Sequence, residues 1–247
     1  MQALTPADLL QLWEIGSEQT LIERSLLLLA KALPEQTPSS LAMLSIGDRD
    51  EMLLCLREYL FGTKLKNTAI CPKCAEIVEW ESSSRDMHLQ PVPPLPANSV
   101  LEFVREDLSI KYRLPNSTDL LRVIRNSNSY IADPNKLLTD CIIDIQHNNQ
   151  PVQVKNLDTE TLQAFEEQIS NDDPQADIGI MLNCPACSNE WEAKFDILSY
   201  LWTEIDVWAT HLLHEIYLLA SAFGWAEKDI LNMSPQRRTM YVKLIQA

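Results

Sequence analysis

Cys71-Pro72-Lys73-Cys74 and Cys184-Pro185-Ala186-Cys187 are two copies of one C-P-x-C pattern, and each is followed by an acidic and aromatic strand-like run, 75–81 and 188–195. Thiolates from two such turns, Cys71, Cys74, Cys184 and Cys187, match the tetrahedral donor set of a structural Zn²⁺. Proline stiffens each turn, and the backbone N–H groups that follow can donate to sulfur. Four sulfurs close the coordination shell and leave no position for a substrate. The pairs stand 110 positions apart, from Cys74 to Cys184. A shared metal would therefore join two distant parts of the chain and act first as a clasp for the fold. A redox dithiol needs only one such pair, and two matched pairs without a βαβ context do not suggest it. An iron site of similar geometry and a vestigial site stay open as readings.

The rest of the composition narrows the function. A chain of 247 residues buries a sizeable core as one large domain or two small ones. A formal net charge of −15 argues against nucleic acid as a partner, because phosphate contacts need clustered Lys and Arg. Four thiolates around one Zn²⁺ keep a net negative charge and do not reverse that argument. The densest apolar run, 26–29, is far too short to span a bilayer, so no membrane insertion is expected. The N-terminal residues lack the charged and apolar regions of a signal peptide. The expected compartment is a reducing cytoplasm, where C-x-x-C pairs more often mean metal than structural disulfides.

Working outward from the knuckles, the fold class reads as α+β and helix-rich, with a zinc ribbon built from the two distant pairs. Residues 1–66 form an N-terminal helical region. Thr5 is an N-cap with Pro6 behind it, Gly16 divides two helices, and Pro34 and Pro38 close the pair. Asp48 is placed as the cap of a further helix, with Glu51 as its reciprocal partner, and this helix runs to Gly62. Residues 67–90 are the first half of the ribbon. Residues 91–173 are an inserted α+β subdomain, entered through the stiff segment Pro91-Val92-Pro93-Pro94-Leu95-Pro96. Alternation over 100–114 predicts a hairpin turning near Glu106-Asp107. Short helices are expected over 117–124, 137–145 and 159–169, the last capped by Asp158. Residues 174–196 complete the ribbon, with a strand at 177–182 feeding the second knuckle. Residues 197–247 form a C-terminal helical region: a long helix from the cap Asp196 to Gly224, a short turn at 227–231, and a last helix starting at Ser234-Pro235.

The remaining reactive side chains read as structural. Cys55 and Cys141 are expected as buried small hydrophobes. His211-Leu212-Leu213-His214-Glu215 is neither H-E-x-x-H nor H-x-x-E-H, so no metalloprotease site follows. His88 and His147 carry no signal. Asp172, Asp173 and Asp177 read as a solvated loop. Trp202, Ile205, Trp208 and Leu212 form a core stripe, and Trp225 clamps the helix end at Gly224. There is no G-x-S-x-G and no phosphate-cradling glycine loop, with five glycines in all. No catalytic residue, no small-molecule substrate and no cofactor beyond Zn²⁺ are expected.

A further set of motifs, in order, carries a resemblance. Leu44-Ser45-Ile46-Gly47-Asp48-Arg49-Asp50 precedes a helix ending Tyr59-Leu60-Phe61-Gly62, and the first knuckle follows. Then come Asp173-Pro174-Gln175-Ala176-Asp177, the second knuckle and Trp202-Thr203-Glu204-Ile205-Asp206-Val207-Trp208. Gly224-Trp225-Ala226-Glu227-Lys228-Asp229-Ile230-Leu231 and Ser234-Pro235-Gln236-Arg237-Arg238 end the series. Together these resemble the T4-type baseplate protein family, hub components or hub-assembly chaperones of contractile phage tails and related injection systems. The resemblance implies a non-catalytic structural or chaperone-like role and partners among baseplate, hub or spike proteins. It implies assembly in the cytoplasm, with incorporation into the particle left open. The alternative is a cytoplasmic zinc-ribbon adaptor unrelated to tails.

Overall fold

A computed structural model describes residues 1–89, 99–126 and 134–246. The proline-rich segment 91–96 lies outside the described residues. Helix α1 (Pro6–Gly16) starts at Thr5, whose hydroxyl accepts from the N–H of Asp8, and α2 (Leu21–Ala32) starts at Thr20 with a reciprocal bond to Glu23. The break at Gly16 has a packing reason: a Cβ there would lie 3.0 Å from Trp202 Cζ2 and closer still to Cη2. Pro38 does not close this region. It is the first residue of a short helix, α3 (Pro38–Ala42), behind a Thr37 cap.

The cap of α4 (Ile46–Phe61) corrects the sequence reading. Ser45, not Asp48, holds the N-cap, and its Oγ accepts from Asp48 N at 3.0 Å. The deciding partner lies far along the chain. The Asp173 carboxylate accepts from Ser45 Oγ at 3.1 Å and from Gly47 N at 3.0 Å. Asp173 is thus buried rather than solvated, and a Cβ at Gly47 would collide with it. An anion at a helix N-terminus satisfies orphan donors and complements the dipole. Asp172 likewise accepts a hydrogen bond from Tyr112 Oη.

Strands β1 (Lys64–Ile70) and β2 (Ile77–Ser83) form an antiparallel hairpin around the first knuckle. A 3₁₀ turn, Ser84–Met87, follows. Then β3 (Leu101–Arg105) and β4 (Leu108–Tyr112) pair across the Glu106-Asp107 turn, as alternation predicts. Helix α5 (Ser117–Asn126) begins where Asn116 Oδ1 accepts from the N–H groups of Thr118 and Asp119. The helix expected over 137–145 ends early: α6 (Pro134–Cys141) gives way to β5 (Ile142–His147), which pairs with β4. Three isoleucines in four positions suit a pleated surface, and Ile145 is buried opposite Ile110. A two-residue strand, β6 (Gln150–Pro151), completes the sheet in the order β3-β4-β5-β6. Helix α7 (Thr159–Asp172), capped by Asp158, places Phe165 against Tyr112 and Phe103.

The second knuckle lies between β7 (Ile178–Asn183) and β8 (Glu190–Phe195), again an antiparallel pair. Helix α8 (Ile197–Phe223) follows at once from the Asp196 cap and stops at Gly224, whose φ of 68° is the left-handed conformation glycine adopts freely. Helices α9 (Glu227–Leu231) and α10 (Pro235–Gln246) fold back on its end. Phe223 and Trp225 stack there with ring centres 4.5 Å apart, and Tyr241 meets both edge-on.

Three apolar clusters result among the described residues. The largest joins α1, α2, α4 and α8 through Leu9, Leu29, Leu53, Leu56, Leu201 and Ile205, and it includes Leu65 and Ile178 from the two hairpins. A second sits between the four-stranded sheet and α7 around Ile110 and Phe165. The third joins the end of α8 to α9 and α10. Among the described residues, no helix is long and apolar enough to cross a membrane.

Candidate metal centre

Each knuckle is a tight backbone turn with the same bonds. Cys71 N donates to Glu76 O and Ala75 N to Cys71 O, both at 2.9 Å. Cys184 N donates to Asn189 O and Ser188 N to Cys184 O, again at 2.9 Å. The residue after each second cysteine takes the left-handed conformation, with φ of 62° at Ala75 and 54° at Ser188. That turn points both sulfurs of a pair to one side, toward the other pair. Cys71 Sγ lies 3.7 Å from Cys187 Sγ, and Cys74 Sγ lies 3.5 Å from Cys184 Sγ. All four sulfurs fall within 4.8 Å of one another and could hold a metal ion. The first cysteine of each pair, Cys71 and Cys184, is buried, while Cys74 is exposed and Cys187 half-buried.

The electrostatics are those of a crowded thiol cluster. Burial pushes the Cys71 thiol up, but backbone N–H groups of Cys74 and Lys73 outweigh it, and it settles near 7. At Cys74 the Glu76 N–H favours the thiolate. The neighbouring Cys187 and Cys184 sulfurs overcome it and carry the thiol up to about 12. Like charges this close cannot all ionise without a cation between them.

The hairpins are fastened to the helical core on the side away from the sulfurs. Tyr200 Oη accepts from Lys66 N at 2.8 Å and donates to Lys66 O at 3.0 Å, tying α8 to β1. Arg57, buried on α4, grips the Glu204 carboxylate through Nη2 at 2.6 Å and Nε at 2.7 Å, and also donates to the carbonyls of Gly62 and Lys64. One guanidinium thus links α4, the start of β1 and α8.

A family model described as T4 bacteriophage base plate protein matches residues 7–202. The chain belongs to this family. The matched stretch holds both knuckles, the α4 capping network and the first turns of α8. The motifs beginning at Gly224 and Ser234 lie beyond it. Comparisons with the curated proteins and with the solved structures find no match.

Other side chains fall differently from the sequence reading. Cys141 is buried as expected, but Cys55 is exposed. The helical turn explains it: Leu53, Leu54 and Leu56 face the core, and position 55 points outward between Glu51 and Glu58. His211 and His214 are exposed on α8 and join no group of candidate ligands among the described residues. His88 is the residue that sequence missed. Its Nδ1 lies 2.8 Å from Glu51 Oε1 and its Nε2 lies 3.2 Å from Glu58 Oε1. Burial opposes its charged form, but the bonds to these carboxylates raise its pKa overall. The only sequence signal was the i, i+4, i+7 spacing of Glu51, Cys55 and Glu58 on one helix; nothing local placed His88 beside them.

Proposed function

We propose that this base plate family member is a zinc-stabilised, non-catalytic structural or assembly protein of a contractile tail or injection-system baseplate, acting through contacts with hub or spike proteins. One observation carries the zinc half of this reading. A Zn–S bond of about 2.3 Å sets sulfurs at tetrahedral vertices roughly 3.8 Å apart, and two separations across the pairs are 3.7 Å and 3.5 Å. Cys71, Cys74, Cys184 and Cys187 would be its four ligands. A closed four-sulfur shell polarises no substrate, which supports a structural rather than catalytic use of the metal. Bound there, zinc would hold the two hairpins as one ribbon across the inserted segment 91–173, between ribbon halves 67–90 and 174–196. Helical regions 1–66 and 197–247 would then offer the partner surfaces. Family membership supports the baseplate half and weighs against an adaptor unrelated to tails. Assembly in the cytoplasm follows from the same reading.

Native mass spectrometry of the tagged chain, withdrawn gently from its own cells, tests both halves. The expected species is the chain with zinc and a stoichiometric baseplate or hub subunit. A metal-free chain without a baseplate partner would overturn the reading.

A further inference from the structure

Glu51, Cys55 and His88 bring three different metal-binding atoms together outside the four-cysteine cluster, all within 4.8 Å of one another. Glu51 and Cys55 stand one helical turn apart on α4, so their side chains rise on one face. His88 reaches them from the segment after the 3₁₀ turn Ser84–Met87. We propose that Glu51, Cys55 and His88 form a second site for a divalent transition ion of the zinc class, with Glu58 as the positioning residue for His88.

The sulfur–oxygen distance fits a carboxylate and a thiolate on one ion, and the imidazole stands close enough to join them. With bonds of about 2.0 Å to oxygen and 2.3 Å to sulfur, tetrahedral ligands stand roughly 3.5 Å apart; Cys55 Sγ lies 3.7 Å from Glu51 Oε1. Oxygen and nitrogen ligands stand roughly 3.3 Å apart on the same ion, against 2.8 Å between Glu51 Oε1 and His88 Nδ1. Glu51, half-buried and bonded to His88 through both oxygens, has to retreat by about half an ångström to admit the ion. The other face of the ring is already prepared. His88 Nε2 is set to donate to Glu58 Oε1, and that carboxylate is itself held by Ser84 Oγ at 2.5 Å. A carboxylate behind a ligating histidine fixes its tautomer and raises its donor strength. Mixed sulfur, nitrogen and oxygen donors suit Zn²⁺ or Co²⁺ rather than Mg²⁺ or Ca²⁺, which prefer oxygen alone. Three protein ligands leave a fourth position open to solvent or to a donor from a partner. This site is independent of the four-cysteine reading: two of its ligands stand on α4, His88 follows the 3₁₀ turn, and none of the three is shared.

The test uses the full chain, stripped of metal and reloaded with excess Co²⁺, then desalted. Metal per chain is counted, and the thiolate-to-cobalt absorption is recorded. Wild type should hold two Co²⁺. His88→Ala and Cys55→Ser should each hold one, with the thiolate band reduced. Cys74→Ser should keep the Glu51-Cys55-His88 ion even if the four-cysteine cluster loses its own. Failure of the four-cysteine reading would thus appear as an ion insensitive to Cys74→Ser and lost in His88→Ala. Cys55 gives a second readout, because it is exposed and open to alkylation: added Co²⁺ should slow its alkylation at least tenfold in wild type and not in His88→Ala. The proposal falls if wild type, His88→Ala and Cys55→Ser carry equal metal, or if Co²⁺ leaves Cys55 alkylation unchanged. His88 would then be a protonated bridge between two carboxylates.

Discussion

If the four cysteines hold zinc as proposed, chelating it should lower the unfolding free energy by about 3–5 kcal/mol, and two independent limits converge on that size. If the ion stays with the unfolded chain, it closes the 110-residue span from Cys74 to Cys184, and loop-closure entropy for that length is worth about 4.8 kcal/mol at 25 °C. If the ion leaves on unfolding, mass action applies instead: free zinc at 100 times its dissociation constant contributes about 2.7 kcal/mol, and at 1,000 times about 4.1. The loss should stop short of unfolding. Leu65 and Ile178 anchor the hairpins in the largest apolar cluster, and Tyr200 bonds to the Lys66 backbone, with no help from metal. The assay is urea unfolding followed by tryptophan fluorescence, with zinc and with chelator, on wild type and Cys74→Ser. Chelation should move the wild-type midpoint strongly. The variant, with three sulfurs left, should respond less, and the two chelated proteins should agree within about 0.5 kcal/mol, as for an exposed substitution. A wild-type protein indifferent to chelator, or a variant that responds as fully as wild type, would refute the clasp.

Four further outcomes follow from named contacts. Glu204→Gln removes the charge facing the buried Arg57 guanidinium, which keeps its Gly62 and Lys64 acceptors, and should cost about 1.5–3 kcal/mol, measured by the same denaturation; a cost below about 0.5 would place the charge elsewhere. Ala75→Gly and Ser188→Gly relieve left-handed strain of about 1 kcal/mol in each knuckle, less the entropy glycine adds to the unfolded chain. Each should therefore be neutral or slightly stabilising, and a thermal melt showing clear loss would contradict the turn geometry. Gly16→Ala pushes a methyl group into Trp202 and should cost about 1–3 kcal/mol, with altered tryptophan fluorescence as the local signature. Asp8, bonded to Lys31 and Thr5, is held down at about 2. Its folded value lies below its unfolded one, so its stabilising contribution is present above pH about 4 and disappears as pH falls towards 2. Asp8→Asn should flatten that part of an acid-unfolding curve.

Sequence showed what depends on local chemistry. The two C-P-x-C turns, the Thr5 and Asp158 caps, the Gly224 stop and the β3–β4 hairpin each carry their cause within a few residues, and each has the predicted form. What escaped was set by distant partners. Asp48 reads as the cap of α4, and Ser45 holds that place, because Asp173, which binds Ser45 and Gly47, lies 128 and 126 positions away. The run ending in Ile142-Ile143-Asp144-Ile145 has helical spacing as well as strand composition, and the open edge of β4 decides between them. Cys55 read as one more small apolar residue in a leucine-rich helix; its neighbours at i−4 and i+3 set its environment, and His88 completes it from across the fold.

Apart from β5, the contacts that escaped share a location. Ser45, Gly47, Glu51, Cys55, Arg57 and Glu58 all belong to α4 or its cap, and each is matched to a residue that follows the helix in the chain: Asp173, His88, Glu204 or Ser84. Helix α4 is weakly amphipathic by pattern because three of its sides are used: an apolar side meets the leucine core, one end receives Asp173, and the outer side carries the carboxylates around His88. A helix committed on three sides fixes where both hairpins can start. Arg57 holds the first residues of β1 through the Lys64 carbonyl and the first turns of α8 through Glu204. With those two points set, β1 leads to Cys71 and Cys74, and β8, running directly into α8, leads back to Cys184 and Cys187. The four-cysteine cluster is therefore positioned from α4 outward, by contacts of the protein's own side chains and backbone.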